Sequence, residues 1–173
     1  MNSESKAKKL FRYYKGSHFH MIREGEYSIY KEFNIPREVE IEWLNELQLE
    51  VLEQFTLAEI EGKKIELFEV YGDIVSELKD DNGFYFMLDH VSDNIQVSDI
   101  KTSIRKINAL LNNIDVLDKK QRRKVAAQIL VLLKGIENSS IAASGKVTPD
   151  IKAAINHCKT KLGNPPLVFF RLR

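Results

Sequence analysis

Apolar residues recur along much of this chain at intervals of three and four, the spacing that gathers them on one side of an α-helix. The clearest run is Asp99 to Ile114, where Ile100, Ile104, Ile107, Leu110, Leu111 and Ile114 form the stripe. Ser98 is placed to cap that helix, and Asp99 suits the positive end of its dipole. A second run, Asp118 to Ile136, continues through Val125, Ala126, Ile129, Leu130, Leu133 and Ile136, with Lys119, Lys120, Arg122, Arg123 and Lys124 outside the stripe. A third spans Pro149 to Leu162, capped by Thr148, opened by a favoured proline and stopped by Gly163. Between the last two, Glu137 to Lys146 reads as the loosest part of the chain.

The first half follows the same period. Pro36 opens a helix to about Phe55 on Val39, Trp43, Leu44, Leu47, Val51, Leu52 and Phe55. Glu38, Glu40, Glu42, Glu46, Glu50 and Glu53 decorate its remainder, while Ile41 and Leu49 fall off the stripe and suggest a second buried face. Lys64 to Lys79 reads as a helix, with a hairpin over 56–71 as its rival around Glu61-Gly62-Lys63-Lys64. Lys6–Lys15 and Met21–Phe33 read as two shorter helices. Phe84 to Leu88 suits either a short strand or a buried helical turn, and Leu167 to Leu172, after two prolines, reads as a strand. The sum is a mainly α fold: one bundle of about six or seven helices over 1–173, with a division near 94 as the alternative and at most a small β element.

Composition narrows the class. With 43% hydrophobic and 29% charged residues, eight Gly and four Pro, the chain is neither disordered nor collagen-like. Its longest apolar runs are five residues, far short of the roughly 18 that a membrane span needs, so no membrane association is expected. Residues 1–16 are basic but lack the apolar core of a secretory signal, and a lone Cys158 excludes an internal disulfide. A cytoplasmic protein is the expectation.

The net charge of +1 conceals a strong segregation. Residues 1–23 balance at +5, residues 24–93 at −14 and residues 94–173 at +10. Such blocks point to interaction surfaces, unless they neutralise each other in the fold.

Catalytic chemistry finds no motif. Gly145-Lys146 lacks the remaining glycine and the Ser/Thr of a phosphate loop, and no GxSxG, HExxH or CxxC occurs. Cys158 lies on an apolar stripe, where an inert core thiol is expected. His18 and His20 form a metal-ligand pair only if their segment is extended; in a helix their rings diverge by about 200°. No metal and no cofactor is therefore expected. Early aromatics (Phe11, Tyr13, Tyr14, Phe19, Tyr27, Tyr30, Phe33, Trp43) are read as core anchors rather than a stacking surface.

From about Lys124 the order is a helix, the Ser139–Ala143 segment, a Gly145–Thr148 turn, a capped helix and an extended tail. That order resembles a winged helix-turn-helix, although Ile141 and Lys146 stand where such proteins carry alanine and an apolar residue. The resemblance implies nucleic-acid contacts from Lys152, Asn156, Lys159, Lys161, Arg171 and Arg173. Against it stands the acidic block, which favours a non-catalytic module that captures a basic protein partner. Glu38, Glu42, Glu46, Glu53, Asp80 and Asp81 would make that contact. The interaction module is the primary expectation, and nucleic-acid binding is the alternative.

Overall fold

The computed structural model describes residues 3–93 and 99–163, and every regular element among them is helical. The fold is mainly α. In chain order the helices are α1 (Ser3–Tyr13), α2 (His18–Arg23), α3 (Tyr27–Glu32), α4 (Arg37–Leu57), α5 (Glu61–Leu78), α6 (Asp81–Asp93), α7 (Ile100–Asn113), α8 (Lys119–Ser144) and α9 (Pro149–Lys161), and a 3₁₀ turn at Ile114–Val116 follows α7. They gather into two compact units, Met1–Gly83 and Phe84–Arg173, so the division falls within α6. None is long and apolar enough to cross a membrane.

In the first unit α4 and α5 form an antiparallel hairpin. Arg37 at the start of α4 donates to the Glu77 carbonyl near the end of α5 at 3.1 Å, while Phe55 and Phe68 meet nearer the turn with ring centroids 6.2 Å apart. The 56–71 hairpin of strands does not form; two helices joined by a three-residue link bury Trp43, Leu44, Leu47 and Val51 against Ile65, Phe68, Ile74 and Val75. Burial of such side chains contributes about 1.5–3 kcal/mol each, more than isolated strands could recover. Ahead of the hairpin lie three short helices where two were expected, because Gly25 takes φ +82° and breaks the Met21–Phe33 run. Gly16 turns the chain between α1 and α2 at φ +76°, and a Cβ there would collide with the side chain of Leu44. Only glycine fits that approach.

The second unit is built on α7, α8 and α9, with α9 packed against both others. The N-cap of α7 is Asp99, whose carboxylate accepts from the Thr102 N–H at 3.0 Å; Ser98 lies outside the described residues. Asp118 caps α8 in a reciprocal box: it accepts from the Lys120 and Gln121 N–H groups at 2.7 and 2.8 Å, and Gln121 accepts from the Asp118 N–H at 3.1 Å. Phe84–Leu88 is part of helix α6, not a strand. The expected strand at 167–172 lies outside the described residues.

Most of the segment expected to be loose, Glu137–Lys146, is instead helical: its residues through Ser144 form the last two turns of α8. Ser140, buried, donates to the Lys146 carbonyl at 2.9 Å, Ser144 donates to the Ser140 carbonyl at 2.8 Å, and Gly145 closes the helix in the left-handed region at φ +68°. These local side-chain bonds to the backbone offset the weak helix propensity of the serines.

Candidate interaction surfaces

A buried carboxylate organises the first unit. Glu40, 5% exposed, accepts from Tyr30 Oη at 2.8 Å and from His18 Nε2 at 2.9 Å on one oxygen, and from Arg37 at 3.0 Å on the other. Arg37 reaches on to Glu77. Rings enclose the cluster: Phe11 stacks on Tyr30 with centroids 5.8 Å apart and meets Trp43 edge-on at 5.6 Å. Burial and the Glu40 hydrogen bond push the Tyr30 hydroxyl well above its ordinary pKa. Every oxygen of Glu40 is satisfied by a donor from a different turn or helix, as a buried charge requires. The cluster therefore fixes α2 and α3 onto the α4–α5 hairpin. Glu40 does not decorate the surface with the other acids of α4: it stands three and four residues before Trp43 and Leu44, on the buried register.

The other acids of α4 point outward. At 100° per residue, Glu38, Glu42, Glu46 and Glu53 fall within an arc of about 80°. Glu38, Glu42 and Glu53 are exposed and make no ion pair with the described residues. Glu46 is engaged by Lys8 at 2.7 Å and by Arg12 at 3.5 Å, and Arg12 continues to Glu50. That hydrogen bond from Arg12 holds the Glu50 carboxyl below its ordinary range. The basic block at residues 6–12 thus neutralises one edge of the acidic stripe. Asp80 lies on the other flank, accepting from Gln48 at 2.7 Å, while Asp81 is exposed at the start of α6. The six residues do not make one open patch; Glu38, Glu42 and Glu53 are its free part.

Within that arc stands Leu49, 70% exposed. Its position off the apolar stripe suggested a second buried face, but α4 buries one face only and Leu49 points directly away from it. Ile41 lies beside the arc, 38% exposed.

Basic residues dominate the second unit, with fifteen Lys/Arg against seven Asp/Glu, where the first unit has eleven against eighteen. On α9, Lys152 and Asn156 are exposed on the same face as half-buried Lys159. Lys161 points elsewhere and donates to Asp115 at 2.7 Å, and Arg122 binds the other oxygen of that carboxylate at 2.7 Å. These contacts, the Lys161 hydrogen bond first, hold the Asp115 carboxyl below its ordinary range. The Cys158 thiol donates to the Ala126 carbonyl at 3.0 Å, which places the end of α9 beside the start of α8, so the two helices run back along each other. Arg171 and Arg173 lie outside the described residues. The Ser139–Ala143 segment belongs to α8 and forms no separate part of a helix-turn-helix.

Histidines 18 and 20 both lie on helix α2, where their side chains diverge: His18 points to Glu40, and His20 shares a shallow hollow with Tyr13, Tyr14, Lys15, Arg23 and Glu24. They do not form a ligand pair. Burial pushes the Cys158 thiol up to about 11, the property of a core thiol. Comparison with family models, with curated proteins and with solved structures finds no match.

Proposed function

We propose that this chain is a non-catalytic protein-interaction module that captures a basic protein partner on the outer face of α4. The observation that carries the reading is Leu49, an exposed leucine on the same outward face of α4 as the exposed Glu38, Glu42 and Glu53. An apolar centre inside a charged rim is the anatomy of an interface hot spot. Burying Leu49 against a partner contributes up to about 1.5–3 kcal/mol, and the surrounding carboxylates raise the rate of encounter with a positively charged protein. The partner presents lysines or arginines around an apolar hollow. Lys8 and Arg12, already seated on Glu46 and Glu50, are an intramolecular example of that recognition.

The test is capture from cell extract by the wild-type chain, by Glu38→Lys/Glu42→Lys/Glu53→Lys and by Leu49→Ser, each with helicity confirmed by circular dichroism. The reading expects a protein of net positive charge that the wild type retains and both variants lose. Retention of the same proteins by all three forms would sink it.

A further inference from the structure

The first turns of α8 carry an arrangement that works against the helix itself. From Lys119 to Ile136 there are six cations (Lys119, Lys120, Arg122, Arg123, Lys124, Lys134) and no acid. Five of them crowd the N-terminal end, where the helix dipole is positive and acids are normally favoured. Local conflicts of this kind are retained where a surface has a task. The helix's first N–H groups are occupied by the Asp118 cap, so the side chains alone form the surface. Nor do nearby acids quench it: Asp115 is saturated by Arg122 and Lys161, and Asp118 is held in its box. Asp89 of α6 comes up beside Gln128 and Val131, so the positive charge is concentrated in residues 119–124, with Lys134 further along.

We propose that this outer face of α8 binds the phosphodiester backbone of double-stranded nucleic acid. Lys119, Lys120, Arg123, Lys124 and Lys134 are all exposed and share one side of the helix. Lys120 and Lys134 are separated by about 21 Å along the axis, a length over which duplex DNA presents roughly a dozen phosphates. The exposed uncharged residues between them (Ala127, Gln128, Val131) include no aromatic to stack on unpaired bases, which argues against single strands. They also lack the broad apolar face that seats a helix in a lipid interface. The contact is therefore to the backbone and independent of base sequence. This surface is distinct from α4 and does not depend on the reading of the acidic face.

Fluorescence anisotropy of a labelled 20-base-pair DNA duplex, titrated with the full chain at about 50 mM salt, tests it. The expected result is saturable binding that weakens steeply with salt, and at least about a tenfold loss for Lys120→Gln/Arg123→Gln/Lys124→Gln with a salt slope reduced by about 2–3. Lys152→Gln/Lys159→Gln on α9 is the control and leaves binding within about twofold. Any of four results overturns the proposal: no binding at tens of micromolar protein, equal affinity of the α8 variant, loss with the α9 variant instead, or tighter binding to the single strand or to phosphatidylserine vesicles than to the duplex. Circular dichroism of each variant confirms that a loss reflects the surface and not the fold.

Discussion

Glu40 offers the sharpest test of how the first unit is held together. Removing it as Glu40→Ala deletes three hydrogen bonds to a nearly buried carboxylate, strands the buried Tyr30 hydroxyl beside Phe11 and takes the carboxylate partner from the half-buried His18 ring. Breaking a buried charged network by removing one member costs about 3–5 kcal/mol. Tyr30→Phe is milder, since it deletes one hydrogen bond to a charged acceptor, and costs about 1.5–3 kcal/mol. The protein supplies its own reporter: Trp43 is the only tryptophan, is 3% exposed and lies in the same core, so its fluorescence follows the first unit alone. In urea, with a slope of about 1–3 kcal/mol/M, Glu40→Ala lowers the Trp43 midpoint by more than about 1 M. The double variant is less destabilised than the sum of the two singles by about 1 kcal/mol or more, because they share one bond. An Glu40→Ala transition within about 0.5 kcal/mol of wild type would refute the cluster as an organising element.

Three further outcomes follow from the second unit and the α5–α6 corner. The Asp115 carboxyl has a folded pKa below its unfolded value, so its contribution is present above about pH 4 and fades as pH falls through the folded value. Asp115→Asn should cost under about 1 kcal/mol at pH 7, given a side chain 56% exposed, and the difference from wild type should close in acid; a difference that grows in acid contradicts the assignment. Cys158 should resist thiol reagents at pH 8 until the chain unfolds, whereas stoichiometric labelling of the native protein within seconds would show an accessible thiolate. Lys79 ends α5 in the left-handed region at φ +54°, so Lys79→Gly should stabilise the first unit by about 0.5–1 kcal/mol, read as a raised Trp43 midpoint; a lowered one means the Lys79 side chain contributes more than its backbone costs.

Where packing and local chemistry agree, the elements were legible. Ile104, Ile107, Leu110, Leu111 and Ile114 of the α7 stripe are buried, joined by Ser103, Lys106, Ala109 and Asn113, which the apolar period does not mark, and Thr148 and Gly163 bound α9 as their chemistry requires. The end of α8 was not legible, because Ser139, Ser140 and Ser144 are poor helix formers and the bonds that hold them reach to Lys146. Nor was the break at Gly25, since an apolar period does not reveal which glycine turns left-handed. Glu40 carried a readable signal in its register, but its partners His18 and Tyr30 stand 22 and 10 residues away, beyond any periodicity. The same holds for the acidic stripe: spacing aligned Glu38, Glu42, Glu46 and Glu53, but only the fold brings Lys8 and Arg12 onto one edge of it. Leu49 was visible as an off-stripe residue, and its meaning depended on how many helices cover α4.

The central claim, that the α4 face steers and seats a basic partner, is tested most directly by the association rate of the captured protein. Measured by biolayer interferometry between about 50 and 300 mM salt, the wild-type rate should fall steeply as screening increases. With Glu38→Lys/Glu42→Lys/Glu53→Lys the rate should drop by at least about tenfold at low salt and lose that dependence. Equal rates and equal salt dependence for the two proteins would contradict the account.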